Sequence, residues 1–145
     1  AKRIQEVASL EPVERHGEEP VLLECRDRTE EIDLIGGMIK AFEASGHASL
    51  GIIAKTNRDA RALYDSLKQK HEIHLLSPES GSFSSGVSVT SIQMSKGLEF
   101  DQVIVADADS ETYTTGYDRS LLYIACTRAM HKLALLYTGE QTKLL

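Results

Sequence analysis

The sequence predicts an α/β fold, a three-layer sandwich with a mainly parallel sheet and helices packed on each side. Two observations carry this. Short apolar runs of strand length alternate along the chain with segments whose apolar residues recur at helical spacing. Several of the runs, Leu50–Ala54 and Val103–Ala106 above all, are apolar without alternation, as strands covered on both faces are.

Taken in order, residues 1–20 carry Glu11, Pro12, Glu14, Glu18, Glu19 and Pro20 with weak periodicity, and read as an irregular lead-in. Val21–Cys25 reads as a strand. Asp27 followed by Glu30 matches a capping box, with acid at the positive end of the helix dipole. Ile32, Ile35, Met38, Ile39 and Phe42 then form a helical stripe, which Ser45-Gly46 ends. After the Leu50–Ala54 strand, Asn57 is positioned to cap a helix carrying Ala60, Leu63, Tyr64 and Leu67. Ile73–Leu76 is a third strand, and Ser77–Gly86 is a Ser- and Gly-rich loop. Val87–Ser91 alternates as a strand, a turn follows at Lys96-Gly97, and Val103–Asp107 is the next strand. Ser110–Gly116 reads as a loop. Asp118 is positioned to cap a helix with Leu121, Leu122, Ala125 and Ala129 on one side, and Leu133–Tyr137 is the last strand. Residues 141–145 are a tail.

With 145 residues the chain has the length of one domain, here residues 21–140. A net charge of −6 argues against a broad basic face for nucleic acid. No apolar run approaches the roughly 20 residues of a membrane helix, and no signal peptide is visible. No membrane and a cytoplasmic location are expected. Cys25 and Cys126 lie in apolar surroundings and are expected to be reduced and buried. The chain opens on Ala1 rather than Met, and is expected to be a piece of something larger.

The chemistry that is missing narrows the function. There is no Gly-x-x-x-x-Gly-Lys-Ser/Thr to cradle a triphosphate, no dinucleotide fingerprint and no nucleophile elbow. His71 and His74 have no further ligand pair, so no metal site is expected. A self-contained enzyme is not indicated. In parallel sheets the working loops leave the C-terminal strand ends, which selects the loops after Ala54, Ser91 and Asp107.

Two segments stand out. Val89-Thr90-Ser91-Ile92-Gln93-Met94-Ser95-Lys96-Gly97-Leu98-Glu99-Phe100-Asp101 places hydroxyls, an amide and Lys96 at a strand end, where they could donate to phosphate. Gly97 could bring backbone N–H groups close to a ligand, and Glu99 could accept from sugar hydroxyls. The alternative is a plain turn with solvated charges. Leu121–Leu133 is an apolar helix with Arg128 near its C-terminal end. That Arg either satisfies the helix dipole or is aimed at a transferring phosphoryl group.

Together, Thr-Ser-Ile-Gln-Met-Ser-Lys-Gly-Leu-Glu-Phe-Asp (90–101) and Leu-Leu-Tyr-Ile-Ala-Cys-Thr-Arg-Ala-Met (121–130) resemble motifs V and VI of UvrD-like superfamily 1 helicases. Leu50–Leu67, with Lys55-Thr56-Asn57 and Arg61, is similar to a region these enzymes carry earlier in the same domain. The resemblance spans roughly residues 48–138. It implies the second of two RecA-like motor domains, the one that lacks the P-loop. ATP and Mg2+ would be bound mainly by the first motor domain of the same parent protein. It further implies Arg128 as a catalytic arginine finger. Gly97, Glu99, Tyr123 and Thr127 would serve the ATP site with it. Lys55, Thr56, Asn57, Thr90, Ser91, Gln93 and Lys96 would contact single-stranded DNA.

Several departures stand out. The family usually has His where Gln93 stands and Arg where Lys55 stands. Arg119 fills one of two paired basic positions, and Ser120 the other. Large members also insert an accessory domain before motif V. Here only about twenty residues separate Leu67 from Val87, too few for a domain. This resembles the compact HelD-type branch, which makes RNA polymerase a secondary expectation as a partner.

Overall fold

In the computed structural model, residues 19–77 and 85–143 are described. Most of the expected lead-in, the core of the Ser/Gly loop (residues 78–84) and the last two residues of the tail lie outside them. Six strands and three helices follow one another among the described residues: β1 (Val21–Cys25), α1 (Arg28–Glu43), β2 (Ser49–Ala54), α2 (Asn57–Leu67), β3 (His74–Leu75), β4 (Gly86–Ser91), β5 (Phe100–Val105), α3 (Gly116–Thr127) and β6 (Ala129–Thr138). The strands form one sheet in the order β1-β6-β5-β2-β4-β3, and every neighbouring pair is parallel. The predicted α/β sandwich is the observed architecture.

The period-2 geometry of a strand sends successive side chains to opposite faces. Ile53, Val103, Val105, Leu133 and Leu135 therefore pack on one face with Leu122, Ala125 and Cys126 of α3. Ile52, Ile104, Val87, Val89 and Leu136 pack on the other with Ile35, Ile39 and Phe42 of α1 and Leu63 and Leu67 of α2. This double coverage explains why β2 and β5 read as unbroken apolar runs. Cys25 and Cys126 are both buried, and neither is in a disulfide. Burial, with the Glu31 carboxylate nearby, pushes the Cys25 thiol up to about 11.

Gly51 sits where β2 passes under Phe100. A Cβ there would lie 2.6 Å from the Phe100 ring, so only glycine lets this wholly buried ring lie flat on the central strand.

Several boundaries differ from the sequence reading. Thr56, not Asn57, caps α2, because its hydroxyl accepts from Asp59 N at 3.1 Å. Thr115, not Asp118, caps α3, and Asp118 is the third residue of a reciprocal capping box. At α1 the box is only half built. Asp27 accepts from Glu30 N at 2.9 Å, but the Glu30 carboxylate turns to Arg26 N at 2.7 Å. The helix before β6 stops at Thr127, and Ala129 opens β6 instead of extending the helix face. Strand β5 starts at Phe100 and ends at Val105, short of Asp107. Asp107 adopts φ 56 and its N–H goes to Glu31 Oε2 at 2.9 Å rather than into the sheet.

Candidate nucleic-acid and nucleotide site

Because the strands are parallel, the loops after β2, β4 and β5 leave the same edge of the sheet, and these three strands are neighbours. Sequence position alone scatters these loops over sixty residues of chain. The fold makes them adjacent.

A groove of about 510 Å³ opens at this edge. Six of the seven residues expected to touch DNA line it: Lys55, Thr56, Asn57, Ser91, Gln93 and Lys96. Tyr117 and Leu121 of α3 complete the lining. Thr90 does not belong to it. Its side chain is buried and its hydroxyl donates to Ser91 O at 3.0 Å. Ser91 is also buried, and its hydroxyl accepts from Met94 N at 3.2 Å, shaping the turn that follows β4.

Lys55 is only partly free. Its ammonium lies 2.8 Å from Asp118 Oδ1, donates to Thr112 O at 2.6 Å and sits 5.6 Å from the Tyr113 ring centroid. Asp118 is 6% exposed and also accepts from Thr114 N and Thr115 N. The Lys55 ammonium, with these backbone donors, holds the Asp118 carboxyl well below the usual carboxylate range. Most of the charge of Lys55 is thus spent inside the fold, while Lys96 and Gln93 remain exposed at the groove. Sequence reasoning took Asp118 for a helix cap and passed over Tyr117. The available signal was the Thr115-x-x-Asp118 spacing, which fixes the start of α3 and sets Tyr117 on its first turn.

Of the residues assigned to ATP, Thr127 and Arg128 meet the segment that carries Gly97 and Glu99, away from the groove. Arg128 follows α3 and precedes β6, so it lies at the sheet edge where strands begin. Its carbonyl accepts from Phe100 N at 2.8 Å, which ties it to the start of β5. The guanidinium donates through Nη1 to Leu98 O and through Nη2 to Thr127 Oγ1, both at 3.2 Å. Thr127 in turn donates to Ile124 O at 2.8 Å. Arg128 Nε is buried without a hydrogen-bond partner. Gly97 has φ +83 with open space around it, and Glu99 is exposed. Tyr123 is half-buried on α3. The segment 92–99 therefore joins two surfaces: it leaves the groove at β4 and delivers Leu98 and Glu99 to the neighbourhood of Arg128. Among the described residues, no three His, Cys, Asp or Glu side chains are arranged to hold a metal ion. No helix there is long and apolar enough to cross a membrane.

The C-terminal domain of a possible DNA helicase from Lactobacillus plantarum WCFS1 superposes with a TM-score of 0.83 at 30% identity, covering 99% of this chain and 89% of that one. Residues 86–136 match the UvrD-like helicase C-terminal domain. The chain belongs to the UvrD-like helicase C-terminal domain family.

It has the RecA-like fold of such a second motor domain, often labelled 2A. More distant likenesses agree on the fold. An arterivirus nonstructural protein 10 helicase, solved with DNA, gives a TM-score of 0.52 at 13% identity, over 92% of this chain and 30% of that one. The UvsW helicase of bacteriophage T4 gives 0.52 at 12%, over 92% of this chain and 59% of that one. This UvrD-like domain thus spans about a third to three fifths of the length of those two helicases. No curated protein matches the chain.

Proposed function

We propose that residues 21–140 are the second motor domain of an ATP-dependent DNA helicase or translocase. In this reading the domain supplies Arg128 as an arginine finger to ATP held by a first motor domain of the same parent protein, and it grips single-stranded DNA in the groove. The observation that best supports it is the state of Arg128. A buried N–H normally finds a partner, yet Nε of the half-buried Arg128 has none, and its two Nη bonds, at 3.2 Å, lie at the long end of the ordinary range. A group so lightly held can be re-aimed at charge developing on a phosphoryl group, for which a planar, always-charged fork is suited.

Glu99 would meet the ribose at the turn shaped by Gly97, with Tyr123 and Thr127 supporting Arg128. Mg2+ belongs with the first motor domain, and no residue here is assigned to it. ATP would draw the two domains together and hydrolysis would release them, so that the groove holds DNA in one state and loosens in the other. The setting is cytoplasmic.

Replacing Arg128 by Ala in the full-length parent tests this. DNA-stimulated ATP hydrolysis should fall by about 10³ or more, while nucleotide binding persists. Unchanged turnover would remove the finger. The isolated domain should hydrolyse no ATP above background.

A second reading rests on one feature: the link from Leu67 to Gly86 holds only the two-residue β3 as a named element among its described residues. That compactness is similar to HelD-type ATPases, whose motor remodels RNA polymerase. A pull-down of RNA polymerase by the full-length parent, with no unwinding of a tailed duplex, would favour it.

A further inference from the structure

The aromatic side chains of the core follow one rule. Phe42, Phe100, Tyr113 and Tyr137 are all 5% exposed or less. Tyr117 is 73% exposed, the largest exposure among the large hydrophobic residues described. It is also not on a loose segment. Thr115 and Asp118 close a reciprocal capping box across it, and Asp118 is anchored by Lys55 at 2.8 Å. The backbone of Tyr117 is therefore clamped on both sides while its ring is left bare at the rim of the groove.

A bare, rigidly mounted phenol costs solvation and gains no packing within the domain. It gains both when a flat apolar partner covers it. The rest of the groove says which partner. Lys96 offers a positive charge, and Gln93 and Asn57 offer amide donors and acceptors, so the occupant carries anionic and polar edges beside its flat faces. An unpaired nucleobase on its phosphate backbone has that combination. In a duplex those faces are already covered by neighbouring bases.

We propose that Tyr117 is a stacking platform for an unpaired base of single-stranded DNA lying in the groove, with Lys55 and Asp118 as positioning residues that hold the platform. This rests on the proposed DNA-binding function and names the contact that makes it selective for single strands. Lys55 then acts on DNA through Tyr117 rather than by touching a phosphate.

The test titrates the chain with oligothymidylate and with an abasic oligonucleotide of the same length. The sequence has five tyrosines and no tryptophan, so tyrosine emission reports stacking directly. Tyr117→Ala should weaken oligothymidylate binding on the order of fivefold to a hundredfold and abolish the quenching. Tyr117→Phe should bind like the wild type. On the abasic strand, wild type and Tyr117→Ala should bind equally, whereas Lys96→Ala should weaken both ligands. If Tyr117→Ala binds oligothymidylate normally while Lys96→Ala does not, stacking is overturned and DNA binding stands. If Tyr117→Ala weakens both ligands alike, the ring contacts something other than a base and the proposal fails. If the wild type binds neither, the DNA-binding function falls and takes the platform with it.

Discussion

Lys55 Nζ lies 2.8 Å from Asp118 Oδ1, which pins the end of β2 to the first turn of α3 across 63 residues of sequence. The pair is partly buried, at 24% and 8% side-chain exposure, and each partner has further hydrogen bonds. Breaking it leaves a nearly buried carboxylate held only by Thr114 and Thr115. Lys55→Met should cost about 1–3 kcal/mol at neutral pH, the range for depriving a buried polar group of a partner, because Thr114 and Thr115 still donate to the carboxylate. The pH dependence has a definite sign. The Asp118 carboxyl is held below its unfolded value, so its contribution is complete above pH ~4 and is lost as pH falls further. Urea unfolding from pH 3 to 7 should show the gap between wild type and Lys55→Met narrowing below pH ~4. A gap of constant size would show that the pair is not what stabilises Asp118.

Glu31 has the opposite sign. Its side chain is completely buried, accepts from Asp107 N at 2.9 Å and meets Arg28 Nη1 at 3.1 Å. Burial, then the neighbouring Asp107 carboxylate, pushes its pKa up to about 7. A carboxyl that is harder to ionise when folded contributes most below its unfolded pKa of about 4.5 and loses that contribution as pH rises toward 7. Stability should therefore decline between pH 4.5 and 7 at this site. Glu31→Gln, which keeps an oxygen for Asp107 N, should flatten that stretch of the stability curve in thermal unfolding. An unchanged slope would place the titration elsewhere.

The sheet was legible in the sequence because burial on both faces leaves long apolar runs that no surface segment would carry. Leu50–Ala54 and Val103–Val105 needed no tertiary knowledge. The helix starts were less so, since Thr56 and Asn57, or Thr115 and Asp118, are all good capping residues. Only the geometry of Asp59 N and Asp118 N chooses between them. The site divided along the same line. Motif order brought out Gln93, Lys96, Glu99 and Arg128. Local spacing could not reveal that Lys55 is spent on Asp118, that Thr90 faces inward, or that Tyr117 stands at the groove. Those facts depend on which strands become neighbours, and β4, β2 and β5 are not consecutive in the chain.

Gly51 gives a sharper packing test than any apolar truncation. A Cβ would sit 2.6–2.8 Å from three atoms of the Phe100 ring, in the middle of the sheet where neither side can yield easily. Gly51→Ala should destabilise the domain by about 1–3 kcal/mol, as overpacking does. Because the clash is with one ring, Phe100→Leu should cost less in the Gly51→Ala background than in the wild type. A double-mutant cycle by chemical unfolding measures this directly. Simple additivity would show that the strand, not the ring, sets the limit.

The salt dependence of DNA binding follows from how little positive charge the groove presents. The chain carries a net charge of −6, and the ammonium of Lys55 is paired with Asp118, which leaves Lys96 as the exposed lysine of the groove. Each phosphate neutralised on a single strand contributes roughly −0.7 to the slope of log K against log salt. Binding by the isolated domain should therefore be weak, with a slope of roughly −0.7 rather than the steep values of broad basic faces. Lys96→Gln should bring the slope close to zero, while Tyr117→Ala should lower affinity and leave the slope as it was. Titrations of oligothymidylate from about 25 to about 200 mM salt, which span a large change in screening, separate the two contributions. A slope several units steeper would mean that phosphates are held by lysines and arginines outside this groove.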